Sequence, residues 1–197
     1  NKLGFGASRT MSIAQKLYEG INIGSQITGL ITYMRTDAVQ LSSSSINSIR
    51  DEIVSLHGKL YIPKNQRVYK SKAANSQEAH EAIRPTEISR HPKTLTKYLN
   101  TDQLKVYDLI WKRTISSQMQ SAELDETSID ISNFENTINF RANGSQIHFP
   151  GFYVYREKEI DKILPNLVED EKVNKVKIET EQHYTQPPAR YSDASLI

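Results

Sequence analysis

The sequence predicts an α+β protein in which a helical domain, residues 1–119, is followed by a β-rich arm, residues 120–185. Up to Met119 the apolar residues recur at helical spacing, whereas afterwards they alternate with polar residues as they do in strands. The charge changes at the same point, because residues 1–119 hold 17 Lys and Arg against 9 Asp and Glu, and residues 120–197 hold 8 against 14. The two parts are therefore expected to differ in both fold and ligand.

The composition excludes several kinds of protein. With 37% hydrophobic and 24% charged residues, the 197-residue chain has the balance of a soluble globular protein. Its apolar stretches are short and no signal segment opens it, so we expect a cytosolic protein without a membrane span. It has no cysteine, which excludes disulfides, thiolate metal sites and cysteine nucleophiles. The basic part suits a polyanion such as nucleic acid, and chance variation in surface charge is the alternative.

Two helices are predicted near the start of the chain. The first covers residues 10–19, ends at Gly20 and has one apolar face, formed by Met11, Ala14, Leu17 and Tyr18. The second follows a run of four serines, residues 42–45, whose hydroxyls can cap its first turn, and it ends at Gly58. Its apolar stripe consists of Ile46, Ile49, Ile53 and Leu56.

Two more helices are predicted further along. One covers residues 76–84, with Asn75 as its cap, Glu78 three residues later and Pro85 as its stop. The other covers residues 102–120. The apolar residues of this last helix are Leu104, Tyr107, Trp111, Ile115 and Met119. At this helical spacing we expect the aromatic side chains to lie in the core rather than to stack on nucleic-acid bases.

The later part of the chain is predicted to form strands. Alternating segments cover residues 128–131, 137–142 and 146–149, and further strands are expected at 152–157 and 175–181. Asn143 and Gly144 are predicted to form a two-residue hairpin turn, because both tolerate the positive φ that such a turn requires. The acidic residues 169–171 suggest either a metal site or, as we favour, a solvated loop.

The first candidate site lies just after a short apolar run. Tyr33, Arg35 and Asp37 occupy alternate positions, so in extended geometry they would share one face. A tyrosine hydroxyl attacks well only where one group removes its proton and another stabilises charge on the electrophile. Arg35 could hold a phosphate with its planar guanidinium, and Asp37 could orient Arg35 or relay a proton. The alternative is a surface hydrogen-bond network without catalytic function.

The second candidate site is formed by His80 and Arg84. Their spacing places both on one face of the predicted helix, with Ala79 and Ile83 turned to the core. Histidine can change its charge near neutral pH, so His80 beside Arg84 could bind a phosphate or assist proton transfer. A purely structural histidine is the alternative.

A flexible basic loop is predicted between these two sites. Its cations are Lys64, Arg67, Lys70 and Lys72, and they are interleaved with Tyr61 and Tyr69. Contact with the nucleic-acid backbone and plain solvation explain this pattern equally well.

Several segments together resemble one known family. Residues 31–37 (ITYMRTD) resemble the tyrosine motif of type IA DNA topoisomerases, and residues 78–86 (EAHEAIRPT) resemble their histidine motif. Residues 184–197 resemble a further stretch near the DNA-binding domain of that family, and residues 9–18 also fit. The resemblance covers nearly the whole chain and is strongest to the bacterial members.

The resemblance implies that Tyr33 is a nucleophile that joins one cut DNA strand through a 5′-phosphotyrosine bond while the other strand passes through the gap. Arg35 would contact the scissile phosphate, Asp37 would assist cleavage or religation, and His80 would bind and position the phosphate region. Arg84 is added as a DNA-binding residue from its helical register. The expected activity is relaxation of negative supercoils, and the expected ligand is single-stranded DNA.

The chain also lacks part of the family pattern. The acidic, metal-binding domain of the family has a glutamate and an Asp-x-Asp pattern ahead of the tyrosine domain, and nothing here matches them. We therefore expect a fragment that is inactive alone, holds no Mg²⁺ and works with the remaining domains of the same polypeptide. Residues 186–197 would begin the next DNA-binding domain. Ala38 stands where many relatives have serine, and we expect no effect on cleavage.

Two other functions compete with this interpretation. A non-catalytic nucleic-acid-binding module would use the basic helices to bind DNA, and Tyr33 would only stack or pack. A recombinase-like strand transferase fits less well, because such enzymes surround their tyrosine with several arginines and histidines in a different order. The topoisomerase interpretation implies a cytoplasmic, nucleoid-associated protein.

Overall fold

The computed structural model describes residues 2–69, 80–156 and 161–196. The chain divides into two compact units, and the first consists of Asn1–Glu123 with Phe149–Lys158. The second unit consists of Leu124–His148 with Glu159–Ile197. Helices and small two-stranded sheets are both present, which confirms the predicted α+β class. No helix in the described ranges is long and apolar enough to cross a membrane.

Three α-helices build the first unit: α1 (Ala7–Glu19), α2 (Ser43–His57) and α3 (Thr101–Ser117). All three were predicted, and their ends are fixed by local signals. Ser42 accepts a hydrogen bond from the amide of Ser45 at the start of α2. Asn100 and Gln103 form a reciprocal capping box at the start of α3. Short 3₁₀ helices cover Lys59–Tyr61, Pro92–Leu95 and Gly151–Tyr155.

The core of the first unit forms where the three helices meet residues 30–34. Its fully buried side chains include Leu17, Leu30, Ile31, Ile49, Ile53, Tyr107 and Ile115. The aromatic residues of α3 lie in this core, as predicted, and Trp111 donates through Nε1 to the carbonyl of Ile88 at 2.7 Å. Three residues assigned to apolar helix faces are instead substantially exposed: Met11, Tyr18 and Leu56.

A small antiparallel hairpin, absent from the prediction, lies between α1 and the candidate tyrosine. Its strands are β1 (Ile21–Ile23) and β2 (Gln26–Thr28), and Ile21 pairs with Thr28. Gly24 in the connection has a φ of +69°, which glycine adopts without strain. Strands this short carry too little periodicity to be recognised in a sequence.

The predicted helix over residues 76–84 is wrong where the structure describes it. Residues 80–84 have no helical structure, and residues 76–79, together with the proposed cap Asn75, lie outside the described ranges. The backbone of this segment pairs with distant residues instead. The amide of Ala82 donates to the carbonyl of Gln40 at 2.8 Å, and the amide of Thr32 donates to the carbonyl of Arg84 at 2.9 Å. These long-range partners leave no hydrogen bonds for a helix at Ala82 and Arg84.

The second unit contains a two-stranded sheet made of β3 (Glu123–Ser132) and β4 (Asn139–Phe149). The predicted turn at Asn143 and Gly144 is wrong, because both residues lie inside β4. The chain reverses between the strands at residues 133–138, where the Asn133 side chain accepts hydrogen bonds from the amides of Thr137 and Ile138. A Cβ on Gly144 would lie 2.5 Å from the carbonyl oxygen of Lys162, so this glycine serves close packing rather than a turn.

Two further strand predictions are also wrong. Residues 151–155 form a 3₁₀ helix, and residue 157 lies outside the described part of the chain. Residues 175–181 are exposed and form no strand. A short helix, α4 (Asp193–Leu196), follows near the end of the second unit.

Candidate active site

The tyrosine motif and the histidine motif lie side by side in the first unit. Ile31 forms an isolated antiparallel bridge with Pro85. On either side of it, the amide of Thr32 donates to the carbonyl of Arg84 at 2.9 Å and the amide of Thr86 donates to the carbonyl of Leu30 at 3.0 Å. Two segments that are far apart in sequence therefore form one short paired structure, which we call the motif junction (residues 29–34 and 80–86).

Two threonine hydroxyls close the motif junction. Thr32 Oγ1 donates to the carbonyl of Ala82 at 2.8 Å and accepts a hydrogen bond from the amide of Arg84 at 3.0 Å. Thr86 Oγ1 donates to the carbonyl of Gly29 at 2.8 Å. A single bridge has few backbone hydrogen bonds of its own, so these side-chain bonds supply much of the polar connection between the motifs.

The tyrosine side of the junction is anchored on α1 and in the core. The amide of Leu30 donates to the carbonyl of Leu17 at 2.7 Å. Ile31 and Met34, on either side of the tyrosine, are 1% and 7% exposed. Gly29 passes so close to α1 that a Cβ at this position would lie 2.7 Å from the carbonyl oxygen of Tyr18. The position of the loop is therefore set by packing on both sides of Tyr33.

Tyr33 is 37% exposed and has two ring neighbours. The His80 ring is 5.3 Å away and tilted by 31°, and the Tyr18 ring is 5.4 Å away in an edge-on arrangement at 68°. The structure thus brings together Tyr33 and His80, the central residues of the two motifs. Such ring pairs restrict the rotation of each partner, and Tyr33 as a whole stays partly exposed.

Tyr18 is the neighbour of Tyr33 that sequence reasoning missed. Its spacing from Ala14 and Leu17 placed it on the apolar face of α1, but it is 41% exposed and packs on Tyr33. The only sequence signal was an aromatic residue in the last turn of a helix that stops at Gly20, a short distance before the tyrosine motif.

Arg35 and Asp37 both lie on the surface beside the junction. The extended geometry in which Tyr33, Arg35 and Asp37 would share one face is not adopted, because the chain bends at Thr32, Met34 and Arg35 after the single bridge at Ile31. The loop continues with a local turn in which the amide of Ala38 donates to Thr36 Oγ1 at 3.0 Å. The exposed guanidinium and carboxylate are thus carried on an irregular loop directly after the tyrosine.

Arg84 does not share a helical face with His80, because this segment is not helical. Its Nη2 pairs with Oε2 of Glu81 at 2.7 Å, and its Nη1 donates to the carbonyl of Pro85 at 2.9 Å. Glu81 in turn accepts a hydrogen bond from the amide of Ser42, the N-cap of α2, at 2.8 Å. Burial raises the pKa of Glu81, but the Ser42 hydrogen bonds and Arg84 outweigh it and hold the pKa below its usual value. Glu81 is therefore a carboxylate that ties the histidine motif to α2.

The predicted basic loop is partly fixed to the end of α3. Arg67 donates through Nε to the carbonyl of Met119 at 3.0 Å and exchanges hydrogen bonds with the Gln118 side chain. The Tyr69 hydroxyl donates to the carbonyl of Ser117 at 2.8 Å. These groups satisfy carbonyls that a helix end leaves without partners. Lys64 is exposed, and Lys70 and Lys72 lie outside the described residues.

In the parts of the chain that the structure describes, no three His, Asp or Glu side chains gather in a way that could hold a metal ion. The acidic residues 169–171 are exposed, with Asp170 at a φ of +62°.

Comparisons with known proteins point to one family. The family described as DNA topoisomerase matches residues 1–197. DNA topoisomerase 1 of Rickettsia bellii is 50% identical over an alignment that covers 100% of this chain and 25% of the relative. DNA topoisomerase 1 of Helicobacter pylori is 44% identical, with 99% of this chain and 26% of the relative covered. The chain therefore spans about a quarter of the length of these relatives.

A solved structure supports the same assignment. Full-length topoisomerase I from Thermotoga maritima matches with a TM-score of 0.74 at 35% identity, covering 86% of this chain and 27% of that one. This likeness includes the fold as well as the sequence. The chain belongs to the type IA DNA topoisomerase family and is similar to its bacterial members.

Proposed function

We propose that this chain is the tyrosine-bearing part of a type IA DNA topoisomerase that cuts one DNA strand, passes the other through the gap, reseals the break and so relaxes negative supercoils. One observation carries the proposal: Tyr33 is partly exposed, with the His80 ring 5.3 Å away, and the junction of the two motifs holds both residues. A partly exposed tyrosine beside an imidazole is accessible to a ligand in a way that a buried core tyrosine is not.

The proposed reaction exchanges one phosphodiester for another. The Tyr33 oxygen attacks the scissile phosphorus, the new bond from oxygen to phosphorus forms, and the bond to the 3′ oxygen breaks. The phenol loses its proton, and the departing 3′ oxygen gains one to become a hydroxyl. Resealing runs the same steps backwards, and because the energy of the ester is retained, no ATP is needed.

The other candidate residues are assigned to the phosphate. We propose that the exposed Arg35 guanidinium binds the scissile phosphate, because its planar fork can donate two hydrogen bonds at once. Asp37 would assist cleavage or religation, and His80 would bind and position the phosphate next to Tyr33. A DNA contact by Arg84 stays a prediction, and its pairing with Glu81 supports a positioning role for this side chain.

We propose that topoisomerase activity requires further domains of the full-length polypeptide besides this chain. The described residues hold no cluster of His, Asp or Glu that fits Mg²⁺, and we propose that a domain outside this chain binds this ion. The proposed partners are single-stranded DNA and the remaining domains, in a cytoplasmic, nucleoid-associated protein.

We also propose the domain limits: a helical domain at 1–119, a β-rich arm at 120–185 and the start of the next DNA-binding domain at 186–197. The basic balance of residues 1–119 supports phosphate binding by the first of them.

The test uses the full-length polypeptide with Tyr33→Phe and, as a matched control, Tyr98→Phe, because Tyr98 is similarly exposed at 43%. Each protein is mixed with Mg²⁺ and an end-labelled single-stranded oligonucleotide, and covalent adducts are detected by denaturing gel and peptide mass. We expect an adduct on Tyr33 in the wild type and the control, and none in Tyr33→Phe, with oligonucleotide affinity nearly unchanged.

Two results would point elsewhere. Relaxation activity retained by Tyr33→Phe would disprove the assignment of the nucleophile. A wild-type protein that forms no adduct but binds DNA with a steep salt dependence would instead support the alternative, a non-catalytic nucleic-acid-binding module.

A further inference from the structure

Tyr18 is an exposed aromatic residue whose position relative to Tyr33 is fixed from its backbone outwards. The carbonyl of Leu17 accepts the Leu30 amide at 2.7 Å, and Gly29 packs directly over the carbonyl of Tyr18. The last turn of α1 and the tyrosine loop are therefore held together by backbone contacts. The Tyr18 ring then meets the Tyr33 ring edge-on, with 5.4 Å between their centroids.

The ring of Tyr18, rather than its hydroxyl, makes this contact. No hydrogen bond of the Tyr18 hydroxyl is found among the described residues, whereas the edge-on geometry at 68° is one that aromatic pairs favour. The His80 ring also lies near Tyr33, at 5.3 Å. The Tyr33 ring thus has two ring neighbours, and removing Tyr18 would take one of them away.

We infer that Tyr18 is a positioning residue that holds the Tyr33 ring in the orientation needed for attack on the scissile phosphate, an inference that rests on the proposed function. Reaction rates depend steeply on such alignment, since a small misplacement of a reacting group slows the chemical step more than it weakens binding. The residue would therefore affect the rate of strand cleavage and leave DNA affinity unchanged.

A purely structural role predicts a different pattern. Tyr18 is 41% exposed and does not belong to the buried core, so truncating it leaves no cavity in that core. Loss of folding is therefore not expected from Tyr18→Ala. Tyr98 is a matched control, because it is also a partly exposed tyrosine, at 43%, and forms no described ring pair with Tyr33.

The experiment measures single-turnover cleavage of an end-labelled single-stranded oligonucleotide by the full-length polypeptide with Mg²⁺, and separately the oligonucleotide Kd. The variants are Tyr18→Ala, Tyr18→Leu, Tyr18→Phe and Tyr98→Ala. We expect Tyr18→Ala and Tyr18→Leu to slow cleavage about tenfold, because an aromatic pair contributes a factor of roughly this size. Tyr18→Phe keeps the ring and should cleave at the wild-type rate, as should Tyr98→Ala. The oligonucleotide Kd of every variant should stay within about twofold of the wild-type value.

Several outcomes would overturn the inference. Tyr18→Ala with a wild-type cleavage rate would disprove it, and so would a variant that loses oligonucleotide affinity at an unchanged rate, since that result would make Tyr18 a DNA contact. If Tyr18→Ala does not fold, as judged by thermal melting, the Tyr18→Leu and Tyr18→Phe pair decides the question. Failure of the wild type to form an adduct on Tyr33 would instead refute the proposed function, so the two failures are distinguishable.

Discussion

Replacing Thr32 by valine should loosen the junction of the two motifs without changing the shape of the side chain. The hydroxyl of Thr32 donates to the carbonyl of Ala82 at 2.8 Å and accepts from the amide of Arg84 at 3.0 Å. Valine keeps the branched Cβ and removes both hydrogen bonds. The backbone bond from the Thr32 amide to the carbonyl of Arg84 remains possible, so the junction should weaken rather than disappear.

The size of the effect follows from the number of bonds lost. Each hydrogen bond contributes about 1 kcal/mol net, and the groups left behind are partly buried, so the two together contribute about 2 kcal/mol. If this free energy limits local opening, the amides protected by the junction should exchange with solvent about 30-fold faster. The amides to follow are those of Thr32 and Thr86, because both donate across the junction.

Hydrogen exchange followed by mass spectrometry on peptides that contain Thr32 and Thr86 measures this opening. Thr94→Val is the matched control, since Thr94 is exposed and its hydroxyl donates to the nearby carbonyl of His91 at 2.7 Å, away from the junction. We expect the control to leave both amides unaffected. If the Thr32 and Thr86 amides exchange no faster in Thr32→Val than in Thr94→Val, the Thr32 hydroxyl does not hold the two motifs together.

Two further perturbations test the packing of the first unit, followed by the fluorescence of Trp111, the only tryptophan of the chain. The Tyr155 hydroxyl lies 2.6 Å from Nε2 of His57. Burial, and to a smaller extent the charge of Glu52, raises the pKa of Tyr155 to about 12. Neutral Tyr155 should therefore contribute fully to stability below its ordinary pKa of 10.0, and this contribution should be lost as the pH rises through about 12. Melting curves recorded across this pH range should depend less on pH in Tyr155→Phe than in the wild type. Gly29→Ala should cost about 1–3 kcal/mol in urea unfolding, because the new Cβ meets a backbone carbonyl, and a wild-type midpoint would contradict this.

The helices of the first unit were predictable because their signals are local. Asn100 and Gln103 satisfy the backbone of the first turn of α3 from within the same few residues, so the capping box can be read in the sequence. Gly20 and Gly58 mark helix ends for the same reason, and the amide of each donates back to its own helix.

The wrong predictions involve residues whose partners are distant in sequence. Ala82 has a helix-like context, yet its amide donates to the carbonyl of Gln40, which no local periodicity indicates. Asn143 and Gly144 have a strong turn preference, but they lie in β4, where Gly144 packs closely against Lys162. In both cases a tertiary contact outweighs a local preference of about 1 kcal/mol.

The candidate site was predictable only in part, for a related reason. Tyr33 and His80 stand out because they occupy recognisable motifs, although nothing in the spacing of those motifs brings the two rings to 5.3 Å. Arg84 was assigned from a helical register that the chain does not adopt, and its guanidinium pairs with Glu81. Tyr18 was missed because helical periodicity cannot separate a residue at the edge of an apolar face from one within it.

If Tyr33 is the nucleophile that we propose, the arrangement around it meets a requirement common to tyrosine nucleophiles. The ring has to be exposed to reach a phosphate, so burial of the ring itself cannot fix its position. Here the neighbouring Ile31 and Met34 are 1% and 7% exposed, whereas Tyr33 is 37% exposed. The buried neighbours anchor the backbone in the core, and Tyr18 and His80 limit the rotation of the ring. A substitution that keeps Tyr33 but loosens the backbone should therefore reduce its reactivity as surely as one that removes a neighbouring ring.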